Sequence, residues 1–435
     1  MDRSKIRVFM IPGLLLASWI SPSCIPEPET GDARTLFEHF TLDPVRGQMT
    51  IGDIDNDGIN DIIKKGDPGH EPLVWFKWSR NDAPRKYILS RDLPLRCDRV
   101  DLCDMDLDGD LDLVAGRSVG MGVDEEYFIG WIENPLPQIF PGTPDSWQYH
   151  TVAKHEGYIK DIKAVDFDRN GKPDIVTRAH ERTVIHFQES PMNWPERVVL
   201  QHESHEGMDV ADLDSDGDPD IILNGFWFET PGEVTGETYT KHIIDSLWFT
   251  PVDSSWRDNN TCVRVADIIG GNGFPEILIS HSELPGYPIS MYTVSSIDDL
   301  RKDAWTEIRI AEQYDFCQTL DAGDVDHDGD LDILAAKFKR EPDQVAWANS
   351  PPYPVSVFAN LSPDGMKWKE TVLNDSGIYA GILGDIGSDG DLDIAGSRSY
   401  FEGPLNIWEN KLSDYGNSRK RISRGRFSRH RRTGE

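Results

Sequence analysis

Between residues 36 and 411, short runs of alternating apolar and polar residues are separated by turns. Period-two alternation bounded by turn residues predicts β-strands. The runs recur in a fixed order. One such as Gln48-Met49-Thr50-Ile51 enters an aspartate-rich loop, and one such as Asp61-Ile62-Ile63 leaves it. A third run is aromatic and often ends in Glu-Asn, as in Phe128 to Asn134, Val355 to Asn360 and Asn406 to Asn410. The fourth alternates, as in Trp147 to Val152, Tyr239 to Ile244, Trp305 to Ile310 and Trp368 to Leu373. The loops begin at Asp53, Asp104, Asp166, Asp212, Asp267, Asp324 and Asp385, so the unit recurs every 46 to 62 residues. One four-stranded blade of a β-propeller needs about that length.

The predicted fold is therefore all-β, a seven-bladed β-propeller of four-stranded blades. The seventh unit has only three runs. Phe37 to Leu42 carries the fourth-run pattern ahead of the first loop, so it is expected to join the last blade and close the ring, which removes the open edges. An open β-solenoid of calcium repeats is the alternative, but its repeats are far shorter.

The fullest loops read Asp-x-Asp-x-Asp-Gly-x-x-Asp. Calcium takes about six to eight oxygen ligands in a flexible shell, and alternate aspartates in a tight glycine turn supply several. Complete sets are Asp53, Asp55, Asp57 and Asp61; Asp104, Asp106, Asp108 and Asp112; Asp212, Asp214, Asp216 and Asp220; and Asp324, Asp326, Asp328 and Asp332. The third loop keeps Asp166, Asp168 and Asp174 with Asn170 as a neutral oxygen ligand. The seventh has Asp385, Asp389 and Asp393 but Gly387 in place of a ligand, so weak binding is expected. The fifth, Asp267 to Glu276, is one residue longer and short of carboxylates, so none is expected there. The expected cofactor is thus Ca2+ at about five well-formed sites and one weak one. An EF-hand would need flanking helices and a glutamate at its twelfth position. These loops instead resemble the FG-GAP or VCBS repeats of integrin α-subunits and many secreted bacterial proteins, over residues 36 to 411. The resemblance implies the propeller and calcium, and leaves function open because propellers host adhesion, ligand binding and catalysis.

If the acidic loops join first to second strands, they share one face, and function is expected on the other. The residues two and four before each first aspartate are nearly all apolar, as in Ile51 and Met49 or Val265 and Val263. Three before stand Thr50, Asp101, Lys163, Asp209, Arg264, Asp321 and Ile382, five of the seven charged; five before stand Gln48, Arg99, Asp161 and Thr319. Unpaired charges do not belong in a blade core, so a polar funnel near the axis is predicted. Lys64, Lys65, Arg117, Arg178, Lys337 and Arg398 follow second strands and converge on the same mouth. Expected ligand-binding residues are Arg99, Arg117, Lys163, Arg264, Lys337, Arg398 and Trp256. His155, His202 and His205 precede first strands, and His180 and His281 follow second strands, which makes these five the acid-base candidates. His39, His150 and His242 occupy equivalent fourth-strand positions and are expected to be structural. The long loops 245–261 and 338–354 bring Trp248, Trp256, Trp347 and Tyr353, suited either to stacking on sugar rings or to packing beneath their own loops.

The formal charge of −32 overstates the surface field, since many carboxylates sit in the loops. No glycine-rich phosphate loop follows a strand, and no nucleic-acid partner is expected. Arg3, Lys5 and Arg7 precede an apolar run from Val8 to Ile20, the order of a secretory signal. Residues 1–24 are read as that signal, 25–35 as a linker, 36–411 as the propeller and 412–435 as a basic disordered tail. The expected location is secreted or cell-envelope. Cys24 sits where a lipoprotein would be acylated, but Ser21-Pro22-Ser23 departs from the usual approach, so lipid anchorage and simple cleavage both stay open. Cys262 and Cys317 open the same strand of adjacent blades; a disulfide and two buried thiols both fit.

Two functions follow. One is a binding module that holds an anionic glycan, or another extracellular ligand such as a protein, on the face opposite calcium. The other is an enzyme there, a carbon-oxygen lyase acting on uronate glycans or keto-sugars, with arginine or lysine neutralising a carboxylate and histidines moving the protons. His205-Glu206-Gly207-Met208-Asp209 with Ile279-Ser280-His281-Ser282-Glu283 is similar to propellers of the aldos-2-ulose dehydratase type and to seven-bladed polysaccharide lyases. That resemblance implies an eliminating site around His205 and His281.

Overall fold

The computed structural model describes residues 36–43, 47–66, 72–80, 82–120, 124–203, 206–235, 238–251, 260–338, 352–397 and 404–412. They form seven antiparallel four-stranded sheets. The first strands of the blades are Met49–Gly52, Asp101–Cys103, Asp161–Val165, Asp209–Ala211, Thr261–Ala266, Cys317–Gly323 and Tyr379–Gly384, and they meet around a central axis. Each is followed outward by its second and third strands, and the fourth forms the outer edge. In blade seven the outer strand is Phe37–Leu42, antiparallel to Leu405–Asn410 with Phe37 opposite Asn410 and Leu42 opposite Leu405. The protein is thus a seven-bladed β-propeller closed by its N-terminal strand. Among the described residues no helix is long and apolar enough to cross a membrane.

The aromatic third run is the centre of each blade. Trp75, Trp131, Trp227 and Trp408 are buried. Each lies against a fourth-strand ring, Tyr87, His150, His242 and His39, at centroid distances of 4.9, 4.4, 4.5 and 4.7 Å. The three histidines are therefore outer-edge structural residues.

The last aspartate of each loop is a backbone staple. In blade four, Asp220 Oδ2 accepts from Leu213 N at 3.0 Å and Oδ1 from Thr230 N at 2.9 Å. The same double contact recurs at Asp61, Asp112, Asp174, Asp332 and Asp393, tying the loop to the end of the third strand. The side chain ending that strand often reaches back one blade. Asn134 donates to Ile54 O at 2.9 Å, Gln188 to Met105 O at 2.9 Å and Asn410 to Val325 O at 2.8 Å. This gives the Glu-Asn ending a physical reason. Asn360 ends the corresponding strand of blade six, and its amide nitrogen is buried without a partner. Replacing Asp220 with alanine strands two buried N–H groups at about 1–3 kcal/mol each. Urea unfolding is expected to show a loss of about 2–6 kcal/mol, whereas Asp216→Ala, on the exposed turn, should change stability far less when no divalent cation is present.

Candidate functional site

The acidic loops are built alike. The first aspartate accepts backbone N–H bonds from the residues four and five positions on, as Asp104 does from Asp108 at 3.0 Å and Gly109 at 3.0 Å. This closed turn needs φ of 53 to 62° at its fourth residue (Asn56, Leu107, Arg169, Ser215, His327 and Ser388) and of 83 to 100° at the glycine. A Cβ on Gly58, Gly109, Gly171, Gly329 or Gly390 would meet nothing, so glycine is there for φ alone. The fourth residue also reaches the next loop. Asn56 donates to Gly109 O at 3.1 Å, Arg169 to Asp218 at 2.9 Å and Ser215 to Gly273 O at 3.0 Å, while Ser388 Oγ accepts from Asn60 N at 2.9 Å. The loops thus form a linked belt on one face.

Carboxylate oxygens lie within 4.8 Å of one another at Asp53, Asp55 and Asp57; Asp104, Asp106 and Asp108; Asp166, Asp168 and Asp174; Asp212, Asp214 and Asp216; and Asp324, Asp326 and Asp332. Loops two, four, six and seven carry one more carboxylate than the motif requires, Asp110, Asp218, Asp330 and Asp391; the Oδ1 atoms of Asp110, Asp218 and Asp330 are buried without a partner, while Asp391 lies 3.7 Å from His327. Burial and neighbouring aspartates push Asp110 up to about 7, and burial with the adjacent Asp216 or Asp328 pushes Asp218 and Asp330 to about 6. Crowded carboxylates with orphaned oxygens fit a hard divalent cation. Loops five and seven differ. In the fifth, Asn272 donates to Glu276 at 2.7 Å, so an amide already occupies the loop's one interior carboxylate. In the seventh, a Cβ on Gly387 would lie 2.8 Å from the Trp78 indole, so the missing ligand makes room for blade one.

An axial cavity of about 480 Å³ is walled by the first strands. Its charged lining is Arg99, Lys163 and Arg264 against Asp101, Asp161, Asp209 and Asp321. The polar funnel is present, but it is balanced rather than basic. Asp101, Asp209 and Asp321 each accept from the next blade's backbone, at Ala164 N (3.0 Å), Val265 N (2.9 Å) and Leu383 N (3.0 Å). Lys163 pairs with Asp209, and Arg264 with Asp321 at 3.4 Å. Burial alone would raise Asp209, but Lys163 and Arg264 outweigh it and hold the carboxyl below its ordinary range. These charges therefore stitch blades together. Arg99 has a softer neighbour, the Cys262 thiol at 4.0 Å.

At the end of the axis away from the acidic loops, four blades share a chain of polar side chains. Tyr158 donates to Asp98 Oδ1 at 2.6 Å, and Lys160 donates to Asp98 Oδ2 at 2.9 Å and Glu206 Oε2 at 3.3 Å. Gln318 of blade six donates to Glu206 Oε1 at 3.4 Å. Burial opposes the charge on Lys160, but Glu206 and Asp98 outweigh it and the ammonium stays protonated. Gln318 Oε1, Asn260 Oδ1 and Ser282 Oγ are buried without partners. Gly207 positions Glu206: its φ is 103°, and a Cβ there would meet Thr261 Oγ1 at 2.3 Å. Arg178 is buried and fixes the same segment by donating to Gly207 O and to Asn224 Oδ1 at 2.9 Å.

Of the expected ligand-binding residues, Arg99, Lys163 and Arg264 line the cavity. Arg117 does not; it bonds Thr151 at 2.9 Å and lies 4.3 Å over Tyr149, because the end of its strand packs on its own blade's aromatics. Lys337 is buried near Phe316 and Tyr353, and burial lowers its pKa. Lys64 is likewise buried, on Ser397 at 2.8 Å. Three candidate histidines are also buried in their blades. His155 contacts Gly157 O at 3.2 Å and Thr177 Oγ1 at 3.1 Å, His202 contacts Thr183 Oγ1 at 3.0 Å, and His281 Nδ1 accepts from Glu283 N and Leu284 N. Burial lowers the pKa of His155 and keeps it neutral. His180 is exposed on a turn. His205, Trp256, Trp347 and Arg398 lie outside the described residues. Trp248 is buried and donates to the Tyr292 hydroxyl at 2.7 Å, and Tyr353 is buried too, so both pack rather than stack on a ligand. Cys97, Cys103, Cys262 and Cys317 are free thiols.

The mouth chain had a sequence signal. Six positions before four of the seven first aspartates stand Asp98, Lys160, Glu206 and Gln318, where the other three blades have Gly47, Thr261 and Tyr379. Strict alternation would place that position between blades with its apolar neighbours. The register shifts between Cys317 and Thr319, and in blades two to four the position precedes the strand, so alternation no longer holds there.

The fold and these sites define a closed propeller with acidic loops on one face and a polar mouth on the other. No family model matches the chain, and no curated protein matches it. Among solved structures, a BBS1N–ARL6DN complex soaked with lead aligns over 86% of this chain and 97% of its own at 10% identity and a TM-score of 0.46. A lectin of Agrocybe aegerita, described as recognising non-reducing terminal N-acetylglucosamine, aligns over 86% of this chain and 94% of its own at 14% identity and a TM-score of 0.46.

Proposed function

We propose that this protein is an exported carbohydrate-binding propeller that holds a neutral, polyhydroxylated ligand at the mouth opposite the acidic loops, with calcium in those loops as a structural fastener. The observation that carries the reading is the chain Asp98, Lys160, Glu206 and Gln318, with the unpartnered oxygens of Gln318 and Asn260 beside it. A sugar hydroxyl both donates and accepts, and a mouth that offers carboxylates, amides and an ammonium matches it on both counts. The charge balance favours a neutral sugar over the anionic glycan expected from the sequence. His155, His202 and His281 are engaged by hydrogen bonds within their own blades, which leaves proton abstraction by these three with less support; His180 is exposed and His205 lies outside the described residues. Export rests on the charged and then apolar N-terminus, and the intact mass of the mature protein tests it.

A glycan array probed with the calcium-loaded protein, covering neutral and uronate glycans, is the direct test. Retention on a neutral glycan is expected, weakened about tenfold or more in Glu206→Gln and Gln318→Ala. Unchanged retention in both variants would contradict the site. A rise in ultraviolet absorbance on incubation with a uronate polymer would instead identify an eliminating enzyme.

A further inference from the structure

The first acidic loop has the full aspartate motif, yet the structure gives it a cation of its own. Lys77 ends the third strand of blade one, and its ammonium lies on both Asp55 Oδ2 and Asp57 Oδ2. Register identifies its counterparts. In blade one Phe76 faces Ile62, and the same pairing places Ile132 opposite Leu113, Phe228 opposite Ile221 and Trp408 opposite Ile394. The next residue is Lys77 in blade one but Glu133, Glu229 and Glu409 in blades two, four and seven. Those glutamates have the opposite sign to Lys77. In blade five the counterpart is Thr293, which donates to Glu276 at 3.0 Å in the loop that lacks the ligand set.

A second difference points the same way. Loops two, four and six carry Asp110, Asp218 and Asp330 six positions after the first aspartate, where the first loop has Ile59. Counting Glu133 and Glu229, loop one therefore has two carboxylates fewer and one ammonium more than loops two and four. We infer that Lys77 is the built-in cation of the first loop, which stays closed without metal, so that only loops two, three, four and six among the well-formed five take up divalent cation. Asp55 Oδ1 remains buried and unpartnered, so the ligand set is intact beneath the lysine and opens when the lysine is removed.

The inference rests on the calcium reading only for the count of ions; the role of Lys77 in holding the loop stands apart from it. Hydrogen exchange on wild type and Lys77→Met, with and without chelator, reads both. The probes are the amides of Asp57 and Gly58, which donate to Asp53, and those of Asp108 and Gly109, which donate to Asp104. In wild type, chelator should leave the Asp57 and Gly58 amides protected and speed those of Asp108 and Gly109 about tenfold. In Lys77→Met, the Asp57 and Gly58 amides should exchange about tenfold faster in chelator and recover with calcium, and native mass spectrometry should count one more bound calcium than in wild type. Exchange at Asp57 and Gly58 that Lys77→Met leaves unchanged in chelator overturns the inference, as does an unchanged ion count between wild type and variant where calcium binds. If no calcium binds anywhere, chelator alters nothing at Asp108 and Gly109, while loosening at Asp57 and Gly58 in the variant still upholds the role of Lys77.

Discussion

Chelation of divalent cations will lower the melting temperature by more than about 10 °C, and by more at pH 8 than at pH 5. Each filled loop stabilises the fold by about 2.7 kcal/mol at a free calcium of a hundred times the dissociation constant, and several loops act together. The pH dependence follows from the loop carboxylates. Without a cation, burial holds Asp112 and Asp220 at about 8 and Asp332 at about 7, and burial with neighbouring aspartates holds Asp110 at about 7, all against 3.8 for an ordinary aspartate. Between those limits the folded protein binds more protons than the unfolded chain. The stability from these groups is therefore fully present below about pH 4 and is lost as pH rises through 7 to 8. A bound cation reverses the preference by stabilising the ionised form, so calcium should matter most where the bare loops are weakest. Differential scanning fluorimetry over pH 5 to 8, with calcium or chelator, checks both statements. A chelator effect that is absent, or larger at pH 5, would remove the structural role of the cation.

A chain that begins at Gly47 will lose its single cooperative melting transition. The missing segment includes the outer strand of blade seven, which pairs along six residues with Leu405–Asn410 and stacks His39 on Trp408 at 4.7 Å. Its removal exposes the backbone of that strand at an edge, and at about 0.5–1.5 kcal/mol per hydrogen bond the loss reaches several kcal/mol before any packing term. Phe40 and Leu42 also leave the cluster of Ile62, Val74, Leu405 and Ile407 that joins blades one and seven. A synthetic peptide of residues 36–43 added in trans should restore part of the transition, since an edge strand accepts a donor strand. Calorimetry that shows an unchanged transition in the shortened chain would mean the ring holds without its clasp.

The blade count, the closing strand and the acidic loops were legible because each is written as a local pattern of two-residue alternation and turn chemistry. The funnel was legible in outline, since charges at Asp101, Lys163, Asp209, Arg264 and Asp321 interrupt apolar strands. Their partners were not. Lys163 meets Asp209 from the next blade, and a pairing 46 residues apart appears only when the ring closes. Reading the arginines and lysines as a basic mouth counted charges without their neighbours. Lys77 was missed for a related reason, as it enters the first loop from a strand 20 residues further on, and only register puts it there. His155, His202 and His281 were placed at the mouth although they are buried, because position along a strand says nothing about burial. The chain of Asp98, Lys160 and Glu206 was overlooked because it stands just outside the strands, where alternation stops being a guide.

The most direct test is hydroxyl-radical footprinting of the calcium-loaded protein with and without the neutral glycan that it retains best. Binding at the mouth should protect the half-buried Tyr158 and Lys160 while leaving the exposed Leu107 and Met192 as reactive as before. Protection confined to the acidic loops or the outer strands, with the mouth unchanged, would contradict it.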